Sequence, residues 1–241
     1  MFKYIGLFYL FVIVAFGLFL AQSMHSGNIY EFFESNKIPK IIHQTAPSNK
    51  SYWPSVWNEC QKSWLYHFKS PEFQYIMWTD EDLDNLIQTH FSDFYYTYSI
   101  YTKNIKKIDI ARYFILYKYG GIYADMDYKC FTNFYNMVSS SKVSISESPH
   151  VQNEYLQNAL MISPKEHPFW LKVIEKAKKR ASFSTKPHDV LYETGPVLIS
   201  DTYFENPTMV DVLAKNYWNP NPETPNNPNI ITRHYGTVTW N

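Results

Sequence analysis

The sequence predicts an α/β domain built on a mostly parallel sheet. Short apolar runs of strand length alternate with longer stretches patterned at helical spacing. Aromatic residues make up 19% of the chain and charged residues 18%, so there is ample apolar surface to close a core. The pair Gly120-Gly121 ends the strongest helical pattern immediately before a strand-like run.

Each element follows from its own residues. Residues 38–45 (IPKIIHQT) read as a buried strand opened by Pro39. Residues 54–68 suit a helix, with Val56, Cys60 and Trp64 four apart on one face. Residues 73–78 (FQYIMW) give a second strand, and Thr79 or Asp80 is placed to cap the helix DEDLDNLIQTHF. Residues 94–102 read as a helix whose Tyr95, Tyr96, Tyr98 and Tyr101 serve packing. Residues 105–119 form the strongest helix, with Ile108, Ala111 and Ile115 as its core stripe. Further strands are expected at 122–124, 143–146, 159–163 and 230–232. Residues 168–180 make an amphipathic helix whose basic end, Lys176 to Arg180, complements the helix dipole. The Pro/Asn run at 219–229 (NPNPETPNNPN) holds no regular element.

Lys+Arg and Asp+Glu are each 22, so the formal charge is zero. That argues against a protein acting chiefly through nucleic-acid phosphates, which needs a basic excess or patch. Cys60 and Cys130 form no disulfide framework and lack zinc-ligand spacing; one bridge or two buried thiols both remain open. Residues 5–21 are 17 residues without a charge. As a helix they would rise roughly 26 Å at 1.5 Å per residue. That just spans a hydrocarbon core of ~30 Å, with Tyr4 and Gln22 at the interfaces. Lys3 precedes the run, so the N-terminus is expected in the cytosol and the remainder across the membrane. The expected organisation is a transmembrane anchor at 1–24, a stem at 25–37 and one domain at 38–241. That is a single-pass type II protein with its domain on the non-cytosolic side, in a Golgi- or ER-like compartment. Ala21-Gln22-Ser23 also reads as a cleavage site, which leaves a secreted form as the alternative.

The chemistry centres on Asp125 and Asp127. They lie two apart at the end of a strand, where period 2 puts both carboxylates on one side. Parallel α/β sheets place ligands at the carboxyl ends of their strands. Two hard oxygen ligands there suit Mg²⁺ or Mn²⁺ shared with phosphate. Spacing alone decides nothing, because Asp80-Glu81-Asp82-Leu83-Asp84 repeats it at a helix start, where acids cap amides. Asp109 and Arg112 are three apart on the preceding helix and share a face. They form either a structural ion pair or a polar clamp for hydroxyls and phosphate.

The block from Asp109 to Asp127 (DIARYFILYKYGGIYADMD) resembles the D-x-x-R-Y-x-x-L-Y-x-x-G-G-x-Y-x-D-x-D block of the DXD sugar-binding glycosyltransferases. Within these it is most similar to yeast initiating α-1,6-mannosyltransferases and inositol-phosphoceramide mannosyltransferases. Other segments match in order: Ile38 to Gln44, Trp78-Thr79-Asp80, Asn158 with His167-Pro168-Phe169, Thr194-Gly195-Pro196, and His234 through Thr239-Trp240. The resemblance runs from about Lys37 to the end. Thr45-Ala46-Pro47 stands where the family carries Trp, and the sequence stops one residue after Trp240, which is expected to leave out a C-terminal acceptor-binding extension.

The resemblance implies a GT-A-like nucleotide-sugar-binding fold. Asp125 and Asp127 would hold Mn²⁺ or Mg²⁺ on the donor diphosphate, with His234 as a third metal ligand or a phosphate ligand. Asp109 and Arg112 would hold sugar hydroxyls. His43, Gln44 and Trp78 would lie beside the nucleotide base, and Asn158 and the Thr194-Gly195-Pro196 turn would line the sugar or acceptor side. Trp240 would donate its indole N–H to the leaving diphosphate. The implied activity is metal-dependent transfer of a sugar, with mannose from GDP-mannose in the lead, to a glycan or inositol-phosphate lipid with retention. A UDP-sugar donor or a catalytically silent glycan-binding relative is the alternative.

Overall fold

The computed structural model describes residues 37–149, 155–183, 190–221 and 223–237. The expected anchor and nearly all of the stem lie outside these residues. Among the described residues, no helix is long and apolar enough to cross a membrane.

The chain runs β1 (Ile41–Thr45), α1 (Ser55–His67), β2 (Gln74–Trp78), α2 (Asp80–His90), α3 (Ser92–Ser99), α4 (Asn104–Tyr119), β3 (Gly121–Ala124) and β4 (Tyr128–Cys130). It continues with β5 (Val143–Glu147), β6 (Leu156–Ser163), α5 (Pro168–Phe183), α6 (Val190–Glu193), α7 (Pro196–Glu205), β7 (Val210–Leu213), α8 (Lys215–Trp218) and β8 (Thr232–His234). Six strands form one sheet in the order β2-β1-β3-β6-β5-β7. β1 is parallel to β2 and β3, β5 is parallel to β7, and β6 is antiparallel to both its neighbours. The sheet is thus mixed and mostly parallel. The strand expected at 230–232 is shifted to β8, which leaves the main sheet and pairs with β4 alone. β4 and β7, of three and four residues, are too short to show a period and were not expected.

Strand alternation divides the core between the sheet's two faces. Tyr123 and Met161 point into a cluster with α2, α3, α4, α5 and α7. Their neighbours Ile122, Ala124, Leu160 and Ile162 point into a second cluster, built on Trp64, Phe68, Phe134 and Trp218. Thr79 is the N-cap of α2: its hydroxyl accepts from the Asp82 N–H, and the Asp82 carboxylate accepts from the Thr79 N–H. α4 is not striped as expected. From Asp109 to Leu116 every residue is buried, because α4 is packed by the sheet on one side and helices on the other. Gly120 ends it at φ +64°, its N–H bonded to the Leu116 carbonyl at 2.9 Å. A Cβ on Gly121 would lie 2.5 Å from the Ile41 carbonyl oxygen, so only glycine lets β3 enter the sheet there. Cys60 and Cys130 are both buried free thiols, and burial pushes each up to about 12.

Candidate active site

A cavity of about 1100 Å³ opens at the carboxyl ends of β1 and β3. Its wall takes in Thr45, Ala46 and Pro47 after β1, the first turns of α4, the start of β6, and the chain after β8. Asp109, Arg112, Asp125, Asp127, Asn158 and His234 all line it.

Asp125 and Asp127 share the cavity for a different reason from the one expected. The Tyr128 N–H donates to the Asp125 carbonyl at 3.0 Å, so Asp125-Met126-Asp127 is a tight turn between β3 and β4 and not a continued strand. Met126 is buried against Ala46 and Trp57 and anchors that turn. The antiparallel pairing of β4 with β8 sets Tyr128 opposite His234, which delivers His234 to the side of Asp127. The His234 ring stacks on Tyr128 at 5.1 Å between centroids.

Asp125 Oδ1 accepts the Tyr123 hydroxyl at 2.8 Å and lies 3.2 Å from Arg112 Nη1. Asp127 Oδ1 is 3.1 Å from His234 Nε2, and its Oδ2 accepts both the N–H and the hydroxyl of Thr237, at 2.6 and 2.8 Å. One ligand atom from each of Asp125, Asp127 and His234 lies within 4.8 Å of the others. Burial holds the Asp125 carboxyl above its ordinary range, and the Arg112 guanidinium offsets only part of that. Burial also resists ionisation of Asp127, but hydrogen bonds from His234 and Thr237 outweigh it and bring that carboxyl below its range. For His234, burial opposes protonation, yet the Asp127 hydrogen bond and charge prevail and raise the imidazole. The donor set of two carboxylates and one imidazole fits a divalent cation between hard and borderline. Such a cation would also neutralise charge that Arg112, shared with Asp109, leaves unbalanced.

Beside this turn is a buried polar network. Arg112 Nη2 is 3.1 Å from Asp109 Oδ1, and Arg112 Nη1 donates to the Asn158 carbonyl at 2.9 Å. Asp109 also accepts from the Asn158 amide at 2.9 Å and from the Thr194 hydroxyl at 3.1 Å. Burial still pushes the Asp109 carboxyl up to about 6.

His43, Gln44 and Trp78, expected beside the base, are not among the residues that line the cavity. His43 and Gln44 have no exposure at all. The Trp78 indole N–H donates to His43 Nδ1 at 3.1 Å, which makes Nε2 the protonated nitrogen facing the Gly120 carbonyl at 3.0 Å. Gln44 donates to the Asp125 carbonyl at 3.2 Å and accepts the Tyr75 hydroxyl at 2.6 Å. All three side chains therefore brace the β1 and β3 ends from behind. Gly195 likewise backs the wall, where its absent Cβ leaves room 3.5 Å from Asp109 Oδ2. Trp240 lies outside the described residues. The residues not foreseen are Tyr123, Thr237 and Trp57, whose indole N–H donates to the Thr237 hydroxyl at 2.9 Å. Tyr123 stands two before Asp125, a spacing visible in the sequence. Thr237 and Trp57 meet across 180 positions and leave no local signal.

Burial lowers the His43 imidazole to about 4 against an ordinary value of 6.5. The unfolded chain therefore takes up a proton that the folded chain refuses as pH falls from 6.5 to 4. The neutral histidine's contribution is complete above pH 6.5 and is lost through that window, up to about 3 kcal/mol. Urea unfolding at pH 7.5 and pH 4 is expected to show this loss in the wild type. His43→Gln is expected to lack it, and equal pH slopes in both would refute the assignment.

The mixed sheet with a metal-suited turn at its carboxyl edge is a GT-A-like glycosyltransferase fold. The PaToxG glycosyltransferase shares it, with a TM-score of 0.56 at 16% identity over 77% of this chain and 78% of that one. Residues 54–144 match the family described as "Glycosyltransferase sugar-binding region containing DXD motif". Inositol phosphoceramide mannosyltransferase 3 of Schizosaccharomyces pombe is 36% identical over 185 residues, covering 76% of this chain and 49% of that protein. Mannosyl phosphorylinositol ceramide synthase CSH1 of Saccharomyces cerevisiae is 35% identical over 173 residues, covering 70% of this chain and 44% of that protein. The chain thus spans about half the length of these curated relatives.

Proposed function

We propose that this protein is a metal-dependent glycosyltransferase that moves mannose from GDP-mannose to an inositol-phosphate lipid, with retention. The observation that carries the reading is the meeting in one cavity of Asp125, Asp127 and His234 with the Asp109–Arg112 network. The names of the relatives support mannose and the phosphoinositol ceramide acceptor. The apolar run at 5–21 supports a type II anchor that keeps the domain near a lipid acceptor.

Asp125, Asp127 and His234 would hold Mn²⁺ or Mg²⁺, which when bound neutralises charge on a departing diphosphate. The chain's own groups do the rest. Arg112 has a fixed, buried guanidinium that stabilises negative charge without reorganising. Asp109 accepts from sugar hydroxyls, and Asn158 holds Asp109 in place. Thr237 and Trp57 fix the rotamer of Asp127.

The test uses the full chain in detergent with a panel of GDP- and UDP-sugars and phosphoinositol ceramide. Mn²⁺-dependent mannosyl transfer from GDP-mannose is the expected result. Turnover of a UDP-sugar alone would refute the donor. A folded protein that neither binds nor turns over any donor would refute transfer altogether.

A further inference from the structure

Among the described residues, ion pairs lie mostly at the surface; Lys40–Glu72, for example, leaves 44% and 63% of its side chains exposed. Two Lys/Arg–carboxylate pairs are sealed on both sides, and both involve α4. One is Arg112–Asp109, at 4% and 6% side-chain exposure. The other is Lys106–Glu193, with Nζ and Oε2 2.5 Å apart and 4% exposure on each side. Lys106 precedes Asp109 by three residues and so shares its face of α4. Glu193 ends α6 and is followed by Thr194, whose hydroxyl donates to Asp109 Oδ2. The Thr194 carbonyl in turn accepts the Tyr113 hydroxyl at 2.6 Å. Val190, Leu191 and Pro196 of the same stretch line the cavity.

We propose that Lys106 and Glu193 are positioning residues: their ion pair fixes the 190–196 wall, and with it Thr194, against the Asp109 carboxylate that faces the donor sugar. This rests on the glycosyl-transfer reading. Burying two charges costs desolvation, and an apolar pair of similar volume commonly gives equal or greater stability. Stability alone therefore does not explain the pair. What it supplies is register. α6 is only four residues long, too short to hold its own place, and apolar contacts let such a segment slide. A bonded charge pair has one geometry. Its effect reaches the sugar only through Thr194 and the cavity wall, so its loss falls on donor binding more than on the chemical step.

The experiment compares the full-length wild type with Lys106→Met/Glu193→Leu, which removes both charges together. Melting temperature, donor KM and kcat are read on each. The expected result is a melting temperature at or near that of the wild type, with donor KM raised on the order of tenfold to a hundredfold and kcat nearly unchanged. Thr194→Val is expected to give the same KM rise, and the two changes combined no more than either alone. An apolar pair that keeps both the melting temperature and KM overturns the proposal. If that variant does not fold, Glu193→Gln is read on KM and kcat alone: it removes the charge facing Lys106, so a lower melting temperature is expected, and an unchanged KM overturns the proposal. An active wild type with unaffected variants overturns only the positioning role. A wild type that binds no donor overturns the transfer reading and this inference with it.

Discussion

Asp127→Asn is expected to lower kcat/KM for glycosyl transfer by at least about 10³-fold while the protein stays folded. The substitution keeps the volume and leaves an amide oxygen for the Thr237 N–H and hydroxyl, now bonded at 2.6 and 2.8 Å. The stability cost is therefore that of weakened hydrogen bonds, about 1 kcal/mol. What disappears is the charge. Asp127 is held below its ordinary range by its hydrogen bonds, so it offers a full negative charge at neutral pH. Asp125 and Asp109 are both pushed the other way by burial. Without Asp127 the His234 imidazole also loses its carboxylate partner at 3.1 Å, so its ring is held less firmly. Calorimetric titration with Mn²⁺ is expected to show weakened binding in step with the loss of turnover. Activity within tenfold of the wild type at the same Mn²⁺ concentration would refute the role given to Asp127.

How far such a site can be read from sequence depends on how its partners are spaced. Asp109 and Arg112 are three apart on a helix, and Asp125 and Asp127 close a recognisable block, so their pairing and their cavity were legible. The main strands and α4 were legible from period alone. The turn that joins the two aspartates was not, because a D-x-D at a strand end looks the same whether the strand continues or bends. β4 and β8 are each three residues long, yet their pairing is what brings His234 to Asp127. His43 and Gln44 were placed beside the base by the family resemblance, and nothing in the sequence itself shows the partners they find. Both are instead consumed by Trp78, Gly120, Tyr75 and the Asp125 carbonyl. Lys106 and Glu193 lie 87 positions apart, and a lysine in a helix carries no sign that it is buried. Sequence patterning reports which groups are present on a face; burial and long-range partners decide which of them remain available to a ligand.

Arg112→Met is expected to destabilise the fold by about 3–5 kcal/mol, a large share of the roughly 5–15 kcal/mol a domain of this kind has. The guanidinium is 3% exposed and is bonded to Asp109, Asp125 and the Asn158 carbonyl, with the Tyr123 ring 4.9 Å beneath it. Methionine fills much of the volume but leaves two carboxylates side by side without their counter-charge. Burial already holds both above the ordinary range with Arg112 in place, and its removal takes away the largest opposing influence on each. A carboxyl whose folded pKa lies above its unfolded value adds stability below the unfolded value and forfeits it as pH rises through the folded one. The deficit of Arg112→Met against the wild type is thus expected to be full near pH 8 and to shrink as pH falls and the two carboxyls take up protons. Arg112→Lys separates charge from shape. A lysine restores one positive charge but cannot span Asp109, Asp125 and the Asn158 carbonyl together. It is expected to recover most of the stability, to flatten the pH dependence, and still to lose transfer by about 10²-fold, since the fork that meets developing charge is gone. Urea midpoints at pH 8 and pH 5 for the three proteins, with kcat/KM at pH 7.5, decide the matter. A pH-independent deficit in Arg112→Met would mean that lost packing, and not two uncompensated carboxylates, is what the arginine prevents.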